Sequence, residues 1–286
     1  MQASKILVTT DLTEISDIAT EYAADLALQL KSRELVLLNV LIPVHIQTTT
    51  ASGGIFNPSY SVASRLNETL WEKHTSLVEK QAEKYAKPGI KIKPVVEINR
   101  NKADINHFME EYHADLLITG SRDKLNFMEI LLGSETEKIM RKINYPMIVI
   151  TDEPFSSTIN NILVAIDVEV NNEQQKGIEI ITEFATLVNA HLQLLYVVSN
   201  GKISAATAIE RLQQLAITHN IRNYSINTVE NHNLESAIQN FSRKHKPDMI
   251  ALLNQGKGKL HNLIYGSQIG EVIKESELPV FVANSI

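Results

Sequence analysis

Two aspartates, four glycines and two serines carry the chemistry open to this sequence. Thr10-Asp11 and Ile166-Asp167 each close an apolar run, and so do Thr119-Gly120-Ser121-Arg122 and Leu253-Asn254-Gln255-Gly256. Gly133-Ser134 and Gly266-Ser267 then open the stretches that follow. Glycine lets a phosphate approach the backbone, and a serine hydroxyl beside the free amides of a helix start can donate to it. An acid facing such a loop completes a mononucleotide site. The same residues also have a plainer use, each Ser capping its own helix and each Asp capping the next. Both readings stand at this level.

Other chemistries are excluded by what is missing. With no cysteine in 286 residues there is no disulfide framework, thiolate zinc site, iron–sulfur ligation or Cys nucleophile. The nine histidines include no H-E-x-x-H pair and read as structural or surface groups, with His261 inside the second candidate loop. There is no G-x-S-x-G elbow and no G-x-x-x-x-G-K-[ST] loop. A net charge of −6 gives no basic field for nucleic acid. No apolar run approaches the ~18 residues of a membrane span. The first residues lack the charged and apolar regions of a signal peptide, so a cytoplasmic protein is expected.

The elements that must position these residues are written twice. Lys5-Ile6-Leu7-Val8-Thr9-Thr10-Asp11 returns as Asn161-Ile162-Leu163-Val164-Ala165-Ile166-Asp167, and Val40 returns as Val197. Later, Val96-Glu97 matches Val229-Glu230, Asp115 matches Asp248, Gly133-Ser134 matches Gly266-Ser267 and Pro146 matches Pro279. The closer spacing of these later matches places extra residues in the first half, in a Thr-, Ser- and Gly-rich loop expected at 42–64. Two domains follow, 1–152 with this insert and 157–286, joined by a polar linker. In each, short β-branched runs alternate with amphipathic ones, the pattern of parallel strands joined by right-handed helical crossovers. The predicted architecture is α/β: two flavodoxin-like, doubly wound, five-stranded parallel sheets of order 3-2-1-4-5. Pro94 inside strand three agrees, because that order leaves strand three at an edge. Ligands of such sheets bind where strand order reverses, at the carboxyl ends of strands one and four, where the candidate residues lie. Trp71 and the charges of the second helix, 65–86, read as packing and solvated surface.

Strand one and the block from strand four to strand five resemble the universal stress proteins in their tandem form, over nearly the whole chain. The resemblance implies an adenine nucleotide alpha hydrolase-like fold and a site for ATP or another adenine nucleotide, with Mg2+ only alongside it. Nucleotide-binding members carry G-x-x-G, nine residues, then G-[ST]. Gly120, Gly133 and Ser134 match in the first half, with Asp123 at the second glycine position. Gly256, Gly266 and Ser267 match in the second half, with Leu253 at the first. By resemblance, the glycines and Ser134 or Ser267 hold phosphates, Asp11 or Asp167 lies by the adenosine, and Val40 or Val197 contacts adenine. Asp123 sets a carboxylate against a phosphate, a repulsion of about 4 kcal/mol at about 4 Å and an effective dielectric near 20. Leu253 adds bulk and no charge, and Lys257, Gly258 and Lys259 keep the second loop flexible and positive. The second half is therefore the better expected site.

Short apolar strands at 147–150 and 280–283 would be exposed edges unless paired. The family pairs strand five across a dimer, so the two halves are expected to dock as an intrachain pseudo-dimer, and two chains can associate further. The functional expectation is a stress-response regulator with a small-molecule ligand. Two alternatives remain open: a nucleotide-free scaffold or carrier of another small or apolar ligand, and a weak ATPase.

Overall fold

A computed structural model describes residues 3–44, 48–49, 55–56, 60–99, 104–120, 143–151, 156–168, 172–198, 203–231, 233–253, 272–273 and 275–284. The first half runs β1 (Lys5–Thr9), α1 (Glu14–Leu30), β2 (Glu34–Leu41), β3 (Thr48–Thr49), β4 (Ile55–Phe56), α2 (Tyr60–Lys84), β5 (Lys91–Ile98), α3 (Ile105–Glu111), β6 (Leu116–Gly120) and β7 (Met147–Ile150). The second runs β8 (Asn161–Ala165), α4 (Asn172–Val188), β9 (His191–Val198), α5 (Ala205–Thr218), β10 (Tyr224–Glu230), α6 (Leu234–His245), β11 (Met249–Leu253) and β12 (Val280–Ala283). The expected helices at 134–143 and 267–275 lie largely outside the described residues.

The strands form one ten-stranded sheet of order β10-β9-β8-β11-β12-β7-β6-β1-β2-β5, so each half has the order 3-2-1-4-5. All pairings of this sheet within a half are parallel. The strands alternate between two covered faces. Ile6, Val8, Leu35 and Leu37 pack with α1 and α2, whereas Leu7, Val36 and Leu38 join the cluster that holds Phe108 of α3 and Phe241 of α6. This explains the near-continuous apolar runs, since both faces of a doubly wound sheet are buried. Asp115 and Asp248 serve the repeat structurally. The Asp115 carboxylate accepts from the Ser4 and Lys5 amides, and the Asp248 carboxylate from those of Asn160 and Asn161, pinning the start of the first strand in each half.

The halves meet where β7 and β12 pair antiparallel, with Met147 opposite Val282, Ile148 opposite Phe281 and Val149 opposite Val280. Positions 148 and 281 are equivalent in the repeat, so a pseudo-twofold passes through this pair, and expected docking through strand five is what the sheet displays. Gln29 of α1 reaches across as well, donating to the carbonyls of Ile159 and Val188 at 3.0 Å each and accepting from the Ile159 amide.

Two details depart from the sequence expectations. The extra length of the first half is not confined to one loop. β3 and β4 pair as a short hairpin, α2 begins at Tyr60, and it spans 25 residues against 14 in α5. The repeated Val-Glu dipeptide is also misleading. Val96 lies opposite Asn39 and Val229 opposite Val197. Because Asn39 is equivalent to Tyr196, the true counterpart of Val96 is Thr228. A slip of one residue turns every side chain to the other face, and Val96 and Val229 indeed pack on opposite faces.

Candidate functional site

In the first half the carboxyl ends of β1 and β2 are held by a buried polar network. The Thr10 hydroxyl lies 2.8 Å from Gln81 Oε1 and 3.0 Å from Ser16 Oγ, and it accepts from the Leu12 amide. Gln81 comes from α2 and is only 6 % exposed; its Nε2 donates to Asp17 Oδ1 at 2.7 Å. The other Asp17 oxygen accepts from Lys84 Nζ at 2.8 Å. Beside this, buried Asn39 donates to the Thr10 carbonyl at 2.7 Å, which orients its Oδ1 to accept from His74 Nδ1 at 2.9 Å. Burial, aided by the charge of Lys73, holds the His74 pKa below the usual imidazole value, so the neutral Nδ1–H tautomer is the one that fits. None of these α2 residues was legible as a site component. Their signal is the helical spacing of Gln81 with buried Val78 and Ala82.

The candidate residues of this half fall around that network. Asp11 is half-buried, and its Oδ1 accepts from the Thr13 amide at 3.1 Å and the Thr13 hydroxyl at 2.5 Å. This Asx-type turn carries Leu12 through a left-handed conformation at φ 65°. Val40 is half-buried and packs on the α3 face. Gly120 is buried at the end of β6. A Cβ there would stand 2.7 Å from the Ile15 carbonyl oxygen and 2.9 Å from its side chain. Its lack of a side chain thus admits the first turn of α1 against the strand, and that backbone occupies the space. Gly133 and Ser134 lie outside the described residues.

The second half solves the same packing problem in reverse. Leu253 occupies the position of Gly120, and its Cδ2 sits 2.7 Å from where a Cβ would be on Gly177 in α4. Here the residue without a side chain lies in the helix, and the leucine packs against it. Asp167 is half-buried with its Oδ1 accepting from the Val168 amide at 2.7 Å, and Val197 is buried on the α6 face. Where the first half has Thr10 and Asn39, the second has buried Ile166 and Tyr196. Gly256, Lys257, Gly258, Gly266 and Ser267 lie outside the described residues. A groove of about 730 Å³ opens at the far end of the sheet, between the end of α4 and the starts of β9 and β10, lined by Thr182, Thr186, His219, Asn220 and Arg222. It is remote from the carboxyl ends where a doubly wound sheet binds ligands. Among the described residues no group of three or more His, Asp or Glu is arranged to hold a metal ion.

Comparison with known proteins matches this description. The model of the universal stress protein family fits residues 3–151 and again residues 158–284. The universal stress protein MJ0577 of Methanocaldococcus jannaschii is 30 % identical over 152 residues, 51 % of this chain and 93 % of that protein. The universal stress protein YxiE of Bacillus subtilis is 24 % identical over 147 residues, 51 % of this chain and 98 % of its own length. A crystal structure of a universal stress protein from Archaeoglobus fulgidus superposes with a TM-score of 0.65 at 20 % identity, covering 99 % of this chain and 97 % of that one. At that identity the likeness is one of fold.

Proposed function

The chain belongs to the universal stress protein family, with two copies of its domain in tandem, and from that premise we propose that it is a cytoplasmic regulatory protein with an adenine-nucleotide site in its second half. The observation that supports this choice is the exchange of Leu253 with Gly177. A leucine at the first glycine position of the nucleotide motif would obstruct a ligand if it projected from the strand end. Here the leucine side chain is instead taken up against the α4 glycine. In the first half the corresponding glycine is consumed by the approach of Ile15, and Asp123 adds a like charge for a phosphate to overcome. Asp167 and Val197 would meet the adenosine; Gly256, Lys257, Gly258, Gly266 and Ser267 would hold the phosphates, ATP bringing its own Mg2+.

Titration calorimetry of the full chain with MgATP tests this reading. One ATP per chain is expected, abolished by Gly266→Val, where a side chain blocks backbone approach, and retained by Gly133→Val. Absence of heat with the native chain, or loss of binding in Gly133→Val alone, would overturn it. Binding without turnover is the proposed activity, so phosphate release should match that of a Ser267→Ala control.

A further inference from the structure

The ten-stranded sheet ends in two edges, and they are treated differently. At β5 the ladder bond from the Asn99 amide to the Leu41 carbonyl fixes which residues face inward, leaving the backbone groups of Ile92, Pro94, Val96 and Ile98 facing out. This edge is blunted at its centre. Pro94 has no N–H to offer, the Val96 carbonyl accepts from Trp71 Nε1 at 3.0 Å, and Lys91 and Lys93 add charge. These are the devices that keep sheet edges from pairing.

At β10 the bonds from the Leu192 amide to the Asn223 carbonyl and from the Asn231 amide to the Val198 carbonyl fix the equivalent inward set. Tyr224, Ile226, Thr228 and Glu230 turn their N–H and C=O groups outward. Among the described residues nothing hydrogen-bonds those groups. β10 contains no proline and no lysine, and its one charge is Glu230 at the end. The helix packed over this edge, α5, exposes Ile209 and, at 68 %, Ile217, eight residues apart on one flank.

We propose that β10 pairs antiparallel with β10 of a second copy of this chain, about a twofold axis at Asn227. The register is self-complementary. It sets Tyr224 opposite Glu230 and Ile226 opposite Thr228, so every outward amide and carbonyl of the strand meets a partner. No like charges stand opposite one another, and exposed Arg222 falls diagonal to Glu230 of the other copy, within reach of a long side chain. The pairing closes on itself, while the blunted β5 edges at the two outer ends stop further growth, giving a dimer rather than a filament.

Sedimentation velocity of the full chain over a concentration series reads the outcome. The native chain should show a reversible monomer–dimer equilibrium. Asn227→Lys and Asn227→Asp each set like charges face to face at the axis without touching a backbone bond, and each should weaken association by at least about tenfold. An equimolar mixture of the two should restore the dimer, which follows only if residue 227 faces itself. Thr228→Pro, which gives β10 the missing donor that Pro94 gives β5, should also yield monomer. A native chain monomeric at all concentrations, a dimer indifferent to both charge variants, or a mixture that fails to reassociate would each overturn the proposal.

Discussion

The carboxyl ends of the two halves share a topology and differ in substance. The first is tied by side-chain hydrogen bonds from Thr10, Asn39, His74, Gln81 and Asp17; the second is filled by Ile166, Tyr196 and Leu253. Where this strand end meets the helix packed over it, one residue lacks a side chain, and either partner can supply it. Gly120 supplies it from the strand, Gly177 from the helix. The lesson is that a glycine inside a ligand motif can be present for packing, and that a side chain standing at its position can be accommodated by a glycine in the facing helix.

The largest expected effect comes from forcing one solution onto the other half. Gly120→Leu must displace the Ile15 backbone and should cost about 3 kcal/mol or more in urea denaturation. The mirror change, Gly177→Ala, meets only the end of a leucine side chain. A helix-propensity gain of about 1 kcal/mol offsets the displaced methyl, so the net change should stay within about 1 kcal/mol. Equal losses from the two would refute the packing exchange. Next in size, Gln81→Leu strips partners from buried Thr10 and from Asp17, and should destabilise by about 1–3 kcal/mol. It should leave ATP binding in the second half unaltered.

The smallest effect is a pH dependence peculiar to the first half. His74 has a folded pKa below its unfolded value, so the unfolded chain binds the proton more readily. Stability from this residue is full above the unfolded pKa and falls as pH drops through the folded one. His74→Gln, which keeps a donor for Asn39, should flatten that slope in denaturation midpoints measured from neutral to mildly acid pH. An unchanged slope would mean that other groups carry it.

Much of the fold was legible because the strands are buried on both faces and the repeat spells out strand one and strand two almost letter for letter. Pro94 even marked the edge correctly. The repeat misled where identity was cheapest to obtain by chance: Val96-Glu97 and Val229-Glu230 look alike, yet hydrogen-bond register, not spelling, sets equivalence. The site was less legible because its determinants are relations between distant residues. Gly120 reads as a motif glycine and Leu253 as added bulk, and only the fold sets Ile15 beside the one and Gly177 beside the other. The one local clue was a glycine in the interior of α4, where the first half has Glu21. Gln81 and His74 were hidden among the charges of a helix whose buried stripe is narrow, and Trp71 proved to be a cover for an edge carbonyl.

The seam between β7 and β12 also bears on how the halves came to differ. In a dimer of identical chains, the residue on the axis must suit its own copy. Here fusion holds the halves at a high effective concentration, in the millimolar range for short linkers, so docking survives imperfect matching. Ile148 can face Phe281, whose ring stacks on Phe184 at 4.6 Å. Once each half needs only its permanent companion, a change at one strand end is no longer copied to the other, and the two strand ends are free to diverge.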